Sequence, residues 1–199
     1  MSDTPRTRTI ARAAIRANLA QTAFELARSQ GFQKVKVDDM AAAAGVSRST
    51  FLRYFGTKED AVLSAFDAHA AQFAETLRTR PAEEDDWTAL QRALEQVVDF
   101  YLEDPVAALS FTQFILDTPE LSGRNREKQH SWRPFLTAAL AERAGIDEPV
   151  PVAIAVRVAA AVSCLSIAVE RWSESGGELD LAALLEAGFQ ALSPDRRGG

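Results

Sequence analysis

The sequence predicts an all-α fold. Helical periodicity recurs through almost the whole chain, strand patterns are nearly absent, and glycine or proline interrupts the periodic segments at helix-length intervals. About nine helices are expected, grouped as a three-helix head over residues 1–60 and a larger helical body over residues 61–199.

The first helix is expected from about Arg8 to Gln30, with Ile15, Leu19, Ala23, Leu26 and Ala27 on one face and Gly31 ending it. A short helix follows from Val37 to Ala44, turning Val37, Met40, Ala41 and Ala44 inward, and Gly45 supplies a left-handed turn. Ser47 caps a third helix, Arg48 to Phe55. Thr57 then caps a long helix to about Arg80, with Asp60 in place of the usual Glu of a capping box. In the body, helices are expected at 87–103, 106–117 and 122–144, the last kinked or split by Pro134. An apolar helix over 150–172 and a leucine-striped helix over 181–192 complete the chain.

Composition narrows the function. With 47% hydrophobic and 25% charged residues, the chain reads as an ordinary globular protein. Its net charge of −6 conceals an asymmetry: residues 1–60 carry 10 Lys and Arg against 6 Asp and Glu, the remainder 12 against 22. A basic head on an acidic body suits an anionic polymer bound at one end. The single cysteine, Cys164, rules out an internal disulfide, and the two histidines, His69 and His130, have no metal-ligand spacing. No Gly-rich phosphate loop, nucleophile elbow or plausible catalytic constellation is present, so an enzyme is not expected, nor is a cofactor. The stretch 150–169 has the length of a membrane span, but Arg157 near its middle and the small residues around it favour a buried helix and a cytoplasmic protein.

The head carries the most specific signal. Residues 45–58 read GVSRSTFLRYFGTK: a glycine turn, a capping serine, and a short helix with apolar residues four apart. Two short helices joined by such a turn form a helix-turn-helix, whose second helix fits the B-DNA major groove, about 12 Å wide. If Phe51 and Phe55 face inward, Arg48, Ser49, Leu52 and Arg53 face outward with Thr50 at the edge, giving the expected base contacts. Arginine can pair with guanine, and leucine can meet a thymine methyl. Lys36, Ser47, Tyr54 and Lys58 are the expected phosphate contacts, which position the head without specifying sequence.

The stretch VKVDDMAAAAGVSRSTFLRYFGTKEDAVLSAF, residues 35–66, resembles the DNA-binding domain of the TetR family of bacterial transcriptional regulators. Two positions depart from the family pattern. Lys36 replaces a capping threonine, and Leu52 replaces a frequent tyrosine of the recognition helix. The resemblance implies a ligand-responsive repressor that binds a palindromic operator as a dimer. A ligand-dependent activator, or a helical interaction module that has lost DNA binding, stands as the alternative.

The resemblance also implies a body that dimerises and takes a small effector. By analogy, Phe66, His69, Phe73, Leu94, Phe100, Tyr101, Phe111, Phe114, Trp132 and Phe135 are candidates to line its pocket, and their aromatic character favours a hydrophobic or aromatic ligand. The last two helices carry more apolar surface than one partner each would bury, which suggests a homodimer through a four-helix contact. Val162, Leu165, Val169, Leu181, Leu184, Leu185 and Phe189 are its expected residues.

Overall fold

The computed structural model describes residues 5–147 and 149–193, and their side chains apart from residues 5–9, 65 and 68–70. Among the described residues the secondary structure is entirely helical: ten α-helices and one 3-10 turn. The chain forms two compact units, one running to Ala68 and taking in Thr118–Arg124, the other comprising His69–Asp117 and the chain from Asn125 onward.

The first unit is built on α1 (Pro5–Gln30), α2 (Val37–Ala43), α3 (Arg48–Phe55) and α4 (Lys58–Val62), followed by a 3-10 turn at Leu63–Phe66. Leu19, Ala23 and Ala27 of α1 are buried as their spacing requires, whereas Ile15 is exposed. Helix α2 ends in a Schellman arrangement. The Val46 N–H donates to the Ala41 carbonyl at 2.9 Å and the Gly45 N–H to the Ala42 carbonyl at 3.0 Å. Gly45 has φ of 69°, a conformation that would strain a residue with a Cβ. This closure lets α3 start three residues later against α2.

The long helix expected from Thr57 to Arg80 is divided. Its first turn, α4, passes into the 3-10 turn, and α5 (Asp67–Thr79) follows. A 3-10 turn aligns residues three apart, and here it buries Leu63 and Phe66 together. Asp60 of α4 accepts two bonds from the Arg124 guanidinium, Nε to Oδ1 at 3.0 Å and a terminal nitrogen to Oδ2 at 3.1 Å. This fork-to-fork ion pair ties the segment 118–124 into the first unit.

The second unit contains α6 (Asp86–Glu103), α7 (Pro105–Asp117), most of α8 (Pro119–Arg143), α9 (Val152–Glu174) and α10 (Leu181–Leu192). Helix α8 continues through Pro134 as one element instead of splitting. Pro134 and His130 both lie on its exposed face, where water can bond the carbonyl that the missing N–H leaves free. Helix α9 is long and apolar enough to cross a membrane, yet it packs as a bundle helix, burying Ile154, Val158, Ala161, Leu165, Ala168 and Trp172. Gly188 of α10 lies against Cys164, where an added Cβ would approach the cysteine Cβ to 3.3 Å. The buried Cys164 thiol is pushed above its ordinary pKa by burial. Trp87 stacks on Phe189 with ring centroids 4.4 Å apart and donates its indole N–H to the Phe189 carbonyl at 3.1 Å.

Polar contacts hold the 80–86 loop. The buried Arg143 guanidinium donates to the carbonyls of Pro81 and Glu84 and to Asp86, which also pairs with Arg157 at 3.0 Å. A hydrogen bond from Arg80 keeps the Glu84 carboxyl below its ordinary pKa. Asp85 caps α6, accepting from the Thr88 hydroxyl at 2.6 Å and from the N–H groups of Thr88 and Trp87, each at 3.0 Å. The Thr88 hydroxyl is the main cause of its lowered pKa.

Both carboxylates have folded pKa values below their ordinary values of 4.5 and 3.8. Their stabilisation is therefore complete above those values and is lost as pH falls through the folded ones. All three tryptophans, Trp87, Trp132 and Trp172, belong to the second unit, so their emission follows its unfolding. Asp85→Ala should lower stability by about 1 kcal/mol at pH 7. In denaturant titrations the gap from wild type should narrow as pH is taken well below 3.8. A gap that does not change with pH would contradict the cap as described.

Candidate nucleic-acid interface

Helix α3 is oriented by two phenylalanines. Phe51 and Phe55 are buried with ring centroids 5.0 Å apart, and Met40 and Ala41 of α2 are buried beside them in the same unit. With one face so committed, the opposite face of α3 is free. Ser49 and Arg53 are exposed on it, and Arg48 is exposed at the helix start. Thr50 and Leu52 are half-buried, at the margins of this face.

Ser47 caps α3, its Oγ accepting the Thr50 N–H at 3.1 Å. The Ser47 hydroxyl also donates to Thr50 Oγ1 at 3.1 Å, so both hydroxyls hold the helix start. Arg48 lies 3.3 Å from Asp38 of α2 in an exposed ion pair, which contributes little to stability and leaves the guanidinium able to exchange partners.

At α2, Lys36 occupies the N-cap position without a side-chain oxygen to accept a backbone N–H. Asp39 supplies the other half of the box, its Oδ2 accepting the Lys36 N–H at 2.8 Å. The exposed Lys36 ammonium is left in solvent at the start of α2.

Lys58 departs from its expected place at a phosphate. Its Nζ donates to the carbonyls of Phe32 at 2.9 Å and Val35 at 3.1 Å, and it lies 4.2 Å from the Phe32 ring centroid. Two of three ammonium hydrogens are committed inside the head, where they close the turn between α1 and α2 onto α4. Loop carbonyls give no signal in a sequence, so this role could not be read there.

Sequence reasoning also passed over α1. Arg12 lies over the Tyr54 ring, its Cζ 5.9 Å from the centroid, and Arg16 lies 5.3 Å from the Phe55 centroid while pairing with Asp67. Arg12, Arg53 and Tyr54 together line an open concavity of about 260 Å³. The four-residue spacing of Arg12 and Arg16 on one helix is the signal that could have found it.

The expected pocket residues differ widely in burial. Phe66, Phe73, Leu94, Tyr101 and Trp132 are buried in packed cores, and Phe111 and Phe114 are half-buried. Phe100 and Phe135 are 45% and 65% exposed, and the His69 side chain lies outside the described residues. Tyr101 packs edge-on against Trp172 at 5.8 Å, and burial raises the pKa of its hydroxyl.

The expected dimer residues need a similar correction. Val162, Leu165, Leu181, Leu185 and Phe189 are buried within the chain, and Val169 and Leu184 are half-buried. They form the internal contact of α9 with α10 and α6, because the two apolar helices cover each other first. The exposed apolar surface of α9 lies on its other face, at Val152, Val156 and Ile167, with Leu192 exposed at the end of α10. A concave site of about 660 Å³ beside it is lined by Asp85, Asp86, Trp87, Val156, Arg157, Ala160 and Leu192.

If Lys58 is structural, Lys58→Met should destabilise the head by on the order of 2 kcal/mol, the scale of hydrogen bonds made by a charged group. Hydrogen exchange should then quicken at the backbone amides of residues 32–36. Exchange unchanged there, with DNA affinity reduced, would return Lys58 to a phosphate-binding role.

Residues 19–65 match the bacterial regulatory proteins of the tetR family, and residues 84–197, more than half of the chain, match the MftR C-terminal domain. A named mycofactocin biosynthesis transcriptional regulator, MftR of Mycobacterium tuberculosis, is 30% identical over 128 residues, covering 64% of this chain and 65% of that protein. The regulator TcmR of Streptomyces glaucescens is 29% identical over 138 residues, covering 66% and 61%. The chain thus spans between 49% and 65% of the length of the curated relatives it matches. Among solved structures, FadR of Thermus thermophilus, a TetR-family repressor in complex with lauroyl-CoA, is similar with a TM-score of 0.58 and 22% identity, over 92% of this chain and 100% of that one. FadR of Bacillus halodurans gives a TM-score of 0.55 and 21% identity, over 92% and 97%. On the head's helix-turn-helix and the match of most of its body, the chain belongs to the TetR family of bacterial regulatory proteins.

Proposed function

We propose that this protein is a dimeric transcriptional repressor that binds a palindromic operator through α3 and releases it on binding a small hydrophobic effector. The observation that carries DNA binding is the outward face of α3, where Arg48, Ser49 and Arg53 are exposed while Phe51 and Phe55 are buried. Arg48 and Ser49 sit at the helix start, the part of a recognition helix that meets base edges. Lys36, Ser47 and Tyr54 flank it as backbone contacts, and Leu52 and Thr50 are placed for apolar or methyl contact at the margin.

Pairing is supported by the exposed side of α9. Val156 and Ile167 are 60% and 58% exposed on a helix face that also carries Val152, Ala159, Ala160 and Ser163, small enough for a second helix to approach closely. Two-fold pairing of α9 and α10 would give a four-helix contact, and the two heads would meet half-sites about 34–36 Å apart or a multiple of that. An apolar effector is supported by the fold shared with a repressor that holds lauroyl-CoA. Release requires only that the effector bind the two conformations with different affinity.

Genomic fragments retained by the immobilised protein provide the test. Wild type should enrich a small set of fragments, and Arg48→Ala should lose about 1–3 kcal/mol of affinity for them. Lauroyl-CoA, and not free CoA, should elute them. Retention without enrichment, or equal retention by Arg48→Ala, would contradict operator reading by α3. In sedimentation, wild type should be a dimer, and Ile167→Glu should be a folded monomer. A dimer unaffected by that substitution would move the interface elsewhere.

A further inference from the structure

We propose that the concavity lined by Arg12, Arg53 and Tyr54 is a phosphate seat, so that α1 takes part in DNA binding through Arg12. The inference rests on the DNA-binding reading of the head and names a contact outside the helix-turn-helix itself.

Several arginines of the first unit are matched with a carboxylate: Arg16 with Asp67, Arg48 with Asp38, and Arg124 with Asp60. Arg12 and Arg53 differ. Among the described residues neither has a carboxylate partner, and no acidic residue lines the concavity they share with Tyr54. Two guanidiniums facing one space repel each other, and an anion between them reverses the sign of that interaction.

The geometry favours a phosphodiester. Each guanidinium can present a fork of N–H donors that matches phosphate oxygens, and the Tyr54 hydroxyl adds another donor. Stacking on the Tyr54 ring limits the freedom of Arg12, so less is lost on binding. At about 260 Å³ the space falls below the range of small-molecule pockets, roughly 300–1,000 Å³, but accommodates a single phosphate group. Arg53 and Tyr54 stand near the C-terminal end of α3, whose first residues are the ones placed for base edges, so a backbone phosphate is the anion within reach. Arg53 accordingly moves from the expected base-reading group to the backbone-reading group.

Phosphate contacts are independent of sequence, so a known operator is not needed for the test. Affinity for two unrelated 30-base-pair duplexes would be measured between 50 and 200 mM salt for wild type, Arg12→Ala and Arg12→Lys. Arg12 is exposed, and the melting temperature should be the same in all three. Arg12→Ala should weaken binding to both duplexes alike and lower the slope of log K against log salt by about 0.9, so that its loss of affinity over this range is about 3.5-fold smaller than that of wild type. Arg12→Lys should restore most of the slope. A wild-type slope in Arg12→Ala, or a loss confined to one duplex, would overturn the phosphate seat while leaving the head a DNA-binding unit. No binding of either duplex by folded wild type would overturn the regulator reading itself, and this inference with it.

Discussion

Burial of two aromatic rings on one side of an eight-residue helix governs what this protein can do. Phe51 and Phe55 anchor α3 inside the first unit, and a helix with one face anchored must present the other. The surrounding devices maintain that orientation. The Schellman closure at Gly45 sets where α3 begins, the Ser47 cap satisfies its first turn, and Lys58 draws the carbonyls of Phe32 and Val35 together behind it. Together these hydrogen bonds fix where α3 begins and how it is held in the first unit.

The parts of the head that follow from local chemistry were readable in the sequence. Glycine turns, capping hydroxyls and apolar residues four apart are rules of near neighbours, and they placed α2 and α3 to within a residue or so. The same rules failed where long-range packing decides. The 3-10 turn at Leu63–Phe66, with both of those side chains buried, interrupts a segment whose periodicity reads as one helix. Lys58 looks like a surface cation until the loop carbonyls of residues 32 and 35 are seen beside it. Arg12 is far from α3 in sequence, and only folding brings it over Tyr54.

The body presents the complementary lesson. Apolar content correctly marked α9 and α10 as helices of a packed bundle, but it could not say which apolar residues face inward. Val162, Leu165, Leu185 and Phe189 meet inside the chain, and Val152, Val156 and Ile167 remain exposed. A helix apolar on every side can serve both tasks at once, covering its own bundle with one face and a partner with the other. Of the aromatic residues expected around an effector, Phe66, Phe73, Tyr101 and Trp132 are buried, whereas Phe100 and Phe135 are exposed, a division that aromatic content alone does not reveal.

In the function proposed above, two copies of α3 read matched half-sites in duplex DNA. Selection of bound sequences from a random pool of double-stranded DNA tests it most directly. An enriched inverted repeat is expected, its half-sites one helical turn apart or a multiple, bound with steep salt dependence. Folded protein that enriches no sequence, in the presence or absence of acyl-CoA ligands, would contradict it.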